Sequence, residues 1–334
     1  MRRVGVLFAA MLAGCGGADP SAPVEAVFLP AGTTFAQMTD SLVAHGIITN
    51  RQTFAWIARL GRFDRKLKAG FYEIRRGESP LRVLRLLAAG SEKTFRLTIP
   101  EGFTILDIAA TAEATLGIPA DSFRAAAADT AMLREFEIDG RDFEGFLLPE
   151  TYFVSRLISG RDLVRELATA FRRGWNPAWD PAAAASGLTR RELVTLASIV
   201  EGEARVDEDR PLVAAVYLNR LRLRMPLQAD PTVQYAIQRA TGQRKTRLLE
   251  RDYQFPSEFN TYLRMGLPPS PVGAPSLKSV EAVLAPAAVP YLFFVAGLDG
   301  KHVFTRTYRD HLRAIAKIRA AERQARRDRG PEGP

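Results

Sequence analysis

The sequence predicts an α+β protein in which a small strand–helix module precedes a larger mixed α/β domain. Three observations support this prediction. The chain has 334 residues, enough for about two domains. Its 47% hydrophobic and 25% charged residues are typical of a globular protein. Short apolar runs and amphipathic stretches alternate along the chain, with glycines and prolines between them.

Charge and cysteine content exclude several protein classes. The formal net charge is +9, and the segment 309–329 contributes eight Lys/Arg against three Asp/Glu. The remaining chain is only mildly basic and shows no helix suited to reading DNA, so we expect no nucleic-acid partner. A single cysteine excludes an internal disulfide, and with three histidines it makes a Cys/His zinc site improbable. We therefore expect no metal and no other cofactor, and no glycine-rich nucleotide-binding motif occurs.

The first 14 residues predict a lipoprotein signal peptide. Two arginines precede an apolar run that ends in Leu12-Ala13-Gly14-Cys15. The run is too short for a membrane-spanning helix, which needs roughly 20 residues. Its end resembles the bacterial lipobox, in which the cysteine after the cleavage site is lipidated; an ordinary cleaved signal is the alternative. We expect membrane lipids to hold the chain through Cys15, residues 15–24 to form a tether, and the body to lie outside the cytoplasm.

Short strand–helix units are predicted for the first folded module. Two segments, 28–35 and 97–104, each read as a strand, a Pro-x-Gly turn and a helix that starts at a threonine. Between them, 67–74 predicts a strand and 81–89 predicts a helix that ends at Gly90. A structural role and a binding role fit this module equally well.

The larger domain is predicted to be mainly helical at first and richer in loops later. Helices are predicted within 102–136 and at 161–173, 189–204 and 209–223. Prolines after Met225 predict loops, followed by a hairpin whose strands are 291–296 and 302–305. Residues 309–334 predict a basic, charged helix or tail.

The predicted helix at 189–204 carries the strongest candidates for acid–base chemistry. Glu201 and Glu203 flank its apolar face on opposite sides. A carboxyl group at such an edge is partly desolvated, which raises its pKa toward the value that a general acid needs. Helix geometry does not choose between the two, and a solvated helix end is the plainer interpretation of both.

Amide, carboxylate and hydroxyl groups that suit sugar hydroxyls follow this helix in the sequence. These residues are Tyr217, Asn219, Gln228, Asp230, Asn260 and Tyr262. Taken singly, each is more typical of a turn or a buried polar position than of a binding site.

In their order along the chain, these segments resemble the endolytic murein transglycosylase family. The matching motifs are ASIVEGEA, YLNRL, LQADPT, FNTY, GLPPSPV, YLFFVA with KHVF, and, before them, IPEGFT and EGFLLPETY. The resemblance covers roughly residues 25–315. It implies a LysM-like module at 25–96 and a catalytic domain at 97–308. It also implies cleavage of the β-1,4 bond between N-acetylmuramic acid and N-acetylglucosamine in nascent peptidoglycan, which leaves a 1,6-anhydro end and terminates strand elongation.

The resemblance also implies roles for particular residues. It puts the essential glutamate at Glu201, leaves Glu203 as the second candidate and substrate contact, and assigns sugar binding to the six residues given above. Peptidoglycan strands are the implied substrate, and cell-wall synthases are implied partners. The family's usual Glu-Lys-Glu reads Glu-Gly-Glu here, and because glycine weakens a helix we expect α-helical structure to end or bend at Gly202. The family's transmembrane helix is replaced by the lipobox.

Two other functions fit the same residues. A hydrolase would use a second carboxylate, Asp230 or Glu150, and would produce reducing ends instead of anhydro ends. A lipid-anchored protein without catalytic activity would bind peptidoglycan and leave it intact. Glu144 and Glu150 are lower-ranked candidates for the acid.

Overall fold

The computed structural model describes residues 21–30, 32–90, 94–156 and 158–328. Within these ranges, no helix combines the length and the apolar character needed to cross a membrane. Cys15, the predicted signal peptide and most of the predicted tether lie outside the described residues.

The chain divides into two units. One contains the residues up to Arg96 together with Phe153–Ile158, and the other contains Leu97–Tyr152 and the residues from Ser159 onward. The division falls within a pair of strands, β3 (Thr94–Thr98) and β4 (Thr151–Ser155).

The smaller unit contains the predicted strand–helix pattern. Its elements in chain order are β1 (Val24–Leu29), α1 (Phe35–Ala44), α2 (Arg51–Leu60), β2 (Gly70–Arg75) and α3 (Pro80–Ala89). Strands β1 and β2 pair antiparallel. The sheet buries alternate side chains such as Val27 and Tyr72 against the apolar faces of the helices, which contribute Leu42, Phe54 and Leu84.

Helices dominate the larger unit, and one antiparallel hairpin, β5 (Phe293–Ala296) and β6 (His302–Thr305), lies near its C-terminal end. The helices are α4 (Ile105–Leu116), α5 (Ala120–Ala127), α6 (Thr130–Glu135), α7 (Gly160–Gly174), α8 (Trp179–Ala185), α9 (Arg190–Glu203), α10 (Arg210–Arg222), α11 (Asp230–Thr241), α12 (Leu277–Leu284) and α13 (Tyr308–Asp328). The predicted α+β class is confirmed.

Helix α9 lies in the core of the larger unit. Its start is fixed by a capping box in which Thr189 and Glu192 each bond the other's backbone N–H. Every residue from Leu193 to Glu201 is buried, because α10, α11 and α12 all pack against this helix. A helix enclosed in this way holds the groups at its C-terminal end in fixed positions.

The expectation of loops after Met225 is wrong in two places, since α11 and α12 both lie there. The Asp-Pro at the start of α11 is also a turn signal, but Pro231 occupies the first helical turn, where proline is favoured. The helix end that we expected at Gly202 lies one residue later, since α9 continues to Glu203. A Cβ on Gly202 would lie 2.6 Å from Cγ of Pro231, so the glycine permits close packing of α9 against α11.

Candidate active site

A polar cleft of about 530 Å³ opens at the C-terminal end of α9. Glu203, the last residue of this helix, lies in its wall, and the first turn of α11 contributes Asp230. The hairpin and the start of α13 line the cleft as well. Of the residues predicted from the sequence, the cleft brings together Glu203, Tyr217, Gln228, Asp230 and Tyr262.

Glu203 has the environment of a general acid. Its side chain is half-buried, and it accepts a hydrogen bond of 2.9 Å from the Tyr217 hydroxyl and another from the backbone N–H of Asp230. Burial and the negative charge of Asp230 together raise the pKa of Glu203 to about 7, against the opposing effect of these hydrogen bonds. Near neutral pH the carboxyl group can therefore both donate and accept a proton.

Asp230 is held beside Glu203 by a short hydrogen bond. The Tyr262 hydroxyl donates to its Oδ1 at 2.6 Å, and the Tyr262 ring packs against Tyr253 with centroids 4.6 Å apart. Burial and this bond raise the pKa of Tyr262 well above its ordinary value, so its hydroxyl stays a donor. The carboxylate of Asp230 thus keeps one oriented partner inside the cleft.

Gln228 enters the cleft from a left-handed backbone conformation, with φ at 49°. Residues other than glycine adopt this conformation at a cost, and such positions are common in functional sites. Two backbone hydrogen bonds to Thr261 hold Gln228 in this conformation. The N–H of Gln228 donates to the Thr261 carbonyl at 3.1 Å, and the N–H of Ala229 donates to the Thr261 hydroxyl at 3.0 Å.

Glu201 lies on the other side of α9, and its side chain is 5% exposed. Its Oε2 accepts from the Ser276 N–H at 2.9 Å, from the Ser276 hydroxyl at 2.6 Å and from the Ser279 hydroxyl at 3.0 Å. Its Oε1 pairs with Arg210 at 2.8 Å. Glu101 contacts the same guanidinium at 3.5 Å. Glu201 is not among the residues that line the cleft, and its bonds tie α9 to α10 and α12.

The two asparagines predicted to bind sugar also lie outside the cleft lining. Asn219 donates to the carbonyls of Val289 and Tyr291 at 2.9 and 3.0 Å. Asn260 is fully buried and donates to two backbone carbonyls, while its Oδ1 accepts from the N–H of Tyr262 at 2.9 Å. Both amides are occupied with backbone groups, and Asn260 serves the cleft only by positioning Tyr262.

Sequence reasoning missed two histidines that line the cleft, His302 and His311. Nδ1 of His302 lies 2.8 Å from Oδ2 of Asp209, which also accepts from the His302 N–H at 2.7 Å. His302 belongs to the KHVF segment, for which the sequence predicts a strand and a family motif but no role for the histidine. His311 lies in the stretch interpreted as a charged tail.

Glu144, a lower-ranked candidate for the acid, is buried away from the cleft. Its carboxyl accepts from the N–H of Ile105 and from the Tyr235 hydroxyl, and burial raises its pKa to about 8. These bonds join three segments of the larger unit, so we assign Glu144 a structural role. No cluster of three or more metal-ligating side chains occurs in the part of the chain that the structure describes.

Comparison with known proteins identifies the family of this chain. Residues 27–317 match the model of the YceG-like family. The chain belongs to the YceG-like family. It is also similar to the crystal structure of a YceG-like protein from Listeria monocytogenes, with a TM-score of 0.61 and 27% identity over 87% of this chain and 98% of that one.

Two relatives carry the name endolytic murein transglycosylase. The protein from Bacillus subtilis is 28% identical over 305 residues, which is 86% of this chain and 83% of that protein. The protein from Streptococcus pneumoniae strain D39 is 30% identical over 321 residues, which is 87% of this chain and 58% of that protein. The chain thus spans a little over half the length of the pneumococcal relative.

Proposed function

We propose that this protein is an endolytic murein transglycosylase. It cleaves the β-1,4 bond between N-acetylmuramic acid and N-acetylglucosamine within peptidoglycan strands. Membership of the YceG-like family and the names of the relatives support the reaction. The observation that carries the choice of catalytic residue is Glu203, a carboxyl group with a pKa near 7 in the wall of a polar cleft.

Glu203 supplies both proton transfers. In its protonated form it donates to the glycosidic oxygen as the bond from that oxygen to C1 breaks, and the substrate's N-acetyl group stabilises the positive charge at C1. The resulting carboxylate then takes the proton of the C6 hydroxyl, whose oxygen bonds to C1. The product is a 1,6-anhydro ring, no water is consumed, and Glu203 ends protonated as it began.

We assign the acid to Glu203, although the sequence favoured Glu201. A general acid has to reach the glycosidic oxygen at hydrogen-bond distance, and Glu203 lines the cleft whereas Glu201 does not. Glu201 is already bonded to two serines and paired with Arg210. Its role is to hold the end of α9, and therefore Glu203, in place.

Hydrolysis of the same bond is the second candidate, because Asp230 lies in the same cleft as Glu203. In a two-carboxylate glycosidase, the second group acts as a nucleophile or activates water. We assign Asp230 instead to orienting the substrate and stabilising the charge at C1. Its bond with Tyr262 supports this role, since that bond fixes the carboxylate's direction.

Digestion of purified peptidoglycan, followed by mass spectrometry of the new ends, tests the proposal. We expect 1,6-anhydro ends from the unaltered protein. New reducing ends would establish the hydrolase instead. Binding to peptidoglycan without any new end, across a range of pH, would establish a non-catalytic binding protein.

We also propose that the protein acts in the cell envelope, where its substrate lies, and that Cys15 is lipidated. The smaller unit would serve as a LysM-like module on the glycan, and cell-wall synthases are candidate partners. Metabolic labelling with a palmitate analogue should tag the protein, and Cys15→Ser should abolish the tag. Persistent labelling of the Cys15→Ser variant would contradict lipidation at this residue.

A further inference from the structure

The wall of the cleft formed by the hairpin and α13 contains a group of stacked rings. The ring of Phe293 lies parallel to His311, with centroids 5.4 Å apart and planes at 26°. Tyr308 contacts the same ring at 5.7 Å. The guanidinium of Arg220 lies 5.3 Å from its centroid. Phe293 is therefore held by three neighbours, and all four residues line the cleft.

Tyr308 differs from the other rings in its exposure. It is 61% exposed, although it contacts both Phe293 and His311. Its hydroxyl makes no hydrogen bond within the described ranges. An aromatic residue that only joined α13 to the hairpin would bury most of its ring, so this side chain offers a free apolar face to the cleft.

His311 adds a further ring to this wall. Its Nδ1 is buried and has no hydrogen-bond partner among the described residues. Burial and the positive charge of Arg220 lower the pKa of His311, so the ring is neutral at neutral pH and has one donor and one acceptor. The buried Nδ1 is out of reach of a ligand, so His311 contributes to the wall through its ring.

We propose that Tyr308, Phe293 and His311 form a subsite that binds one N-acetylhexosamine ring of the glycan. This proposal rests on the proposed function, since it extends the same cleft. A pyranose has an apolar face of C–H groups and a rim of hydroxyl and N-acetyl groups. Tyr308 stacks on the face, and Phe293 and His311 pack against Tyr308 and support its ring. His311, which lies in the segment 309–334 predicted to be a basic charged helix or tail, is thereby part of the substrate site.

Binding measurements on a variant that does not cleave test the subsite directly. The full chain carrying Glu203→Gln is purified in detergent and titrated with glycan fragments that lack peptide stems. Adding Tyr308→Ala should weaken binding about 3- to 10-fold, as expected for the loss of one ring contact. Tyr308→Phe should bind nearly as the parent does, because it keeps the ring. Leu312→Ala is the matched control, since Leu312 is 47% exposed on the same helix and outside the cleft lining.

The cleaving protein gives a second readout. Tyr308→Ala should raise KM with little change in kcat, because the stacking contact is made equally in the ground and transition states. Thermal unfolding of each variant shows whether the fold is retained. Equal glycan affinity of Tyr308→Ala and Leu312→Ala would overturn the subsite. If Tyr308→Ala weakens binding only of strands that carry peptide stems, the subsite does not bind a sugar ring.

The outcomes separate this inference from the proposed reaction. If Tyr308→Ala weakens glycan binding while the unaltered protein yields no anhydro ends, the subsite stands and the reaction is wrong. If anhydro ends form but Tyr308→Ala binds normally, the reaction stands and the subsite is wrong.

Discussion

The last turn of α9 presents two carboxyl groups to two different surroundings. Glu201 is buried, and two serines donate to it while Arg210 pairs with it. Glu203 faces the cleft, where burial and Asp230 raise its pKa to about 7. Two residues along a helix correspond to a rotation of about 200°, which is enough to place the two carboxyl groups in these different surroundings and to support different proposed roles. Residue type and helix position alone therefore do not identify the catalytic group.

The largest expected effect comes from Glu203→Gln. The amide has nearly the same size and can still accept from Tyr217, but it cannot transfer a proton. Formation of anhydro ends should fall about 10²–10⁴-fold, the usual contribution of a general acid–base, while the unfolding temperature changes little. Mass spectrometry of timed digests measures the rate. Near-normal cleavage by this variant would move the acid to another residue, with Glu201 tested first.

Glu201→Gln should have the opposite profile, with a large loss of stability and a small loss of activity per folded molecule. Removing one partner of a buried ion pair costs about 3 kcal/mol, and Arg210 retains Asp207 at 3.0 Å as a partial substitute. The unfolding temperature should drop by roughly 6–12 °C, as calorimetry would measure. A variant of unchanged stability but lost cleavage would contradict the structural role.

The pH dependence of kcat/KM distinguishes the two carboxyl groups without a mutation. The protonated form of Glu203 is required at the start of the reaction. The rate should therefore be level below pH 7 and should fall about tenfold per pH unit well above it. Unfolding measured in the same buffers excludes denaturation as the cause. A rate that stays constant from pH 7 to pH 9 would be incompatible with Glu203 as the acid.

Gly202→Ala tests the packing between the two carboxyl groups and should have the smallest effect. Helix propensity alone predicts that alanine raises the free energy of unfolding by about 1 kcal/mol. The added Cβ would instead meet the Pro231 ring at 2.6 Å, and we expect a net loss of about 1–2 kcal/mol. A few-fold slower cleavage should accompany it, because Pro231 follows the Asp230 whose N–H bonds Glu203. A higher unfolding temperature would refute the close contact.

Local signals in the sequence predicted many elements of the fold correctly. The helices predicted to start at threonines do begin after Thr34, Thr104 and Thr189, and in the structure each has a capping box. The hairpin is also present, with β5 starting two residues later than predicted. Helix α11 was missed because Asp-Pro signals a turn and a helix start equally well. An element was predicted correctly where its own residues determine its structure, and it was missed where the same residues fit two structures.

The site was only partly predictable, because its composition depends on distant segments. Tyr217, Gln228, Asp230 and Tyr262 do meet at the cleft. The sequence does not reveal that Ser276, which precedes α12, and Ser279 within α12 donate hydrogen bonds to Glu201, although both lie some 75 residues away along the chain. Nor does it reveal that Asn219 would bond backbone carbonyls near residue 290. Long-range contacts decide which polar groups remain free for a substrate.

The cleft is assembled from the two ends of a long stretch of chain, which matters during synthesis. Glu203, the proposed acid, emerges from the ribosome 90 residues before Phe293 and 105 residues before Tyr308, which also line the cleft. A nascent chain that ends before residue 293 contains Glu203 but lacks the part of the cleft lining that the hairpin and α13 supply. Proteolysis between Glu203 and the hairpin would likewise separate the two parts of the cleft lining.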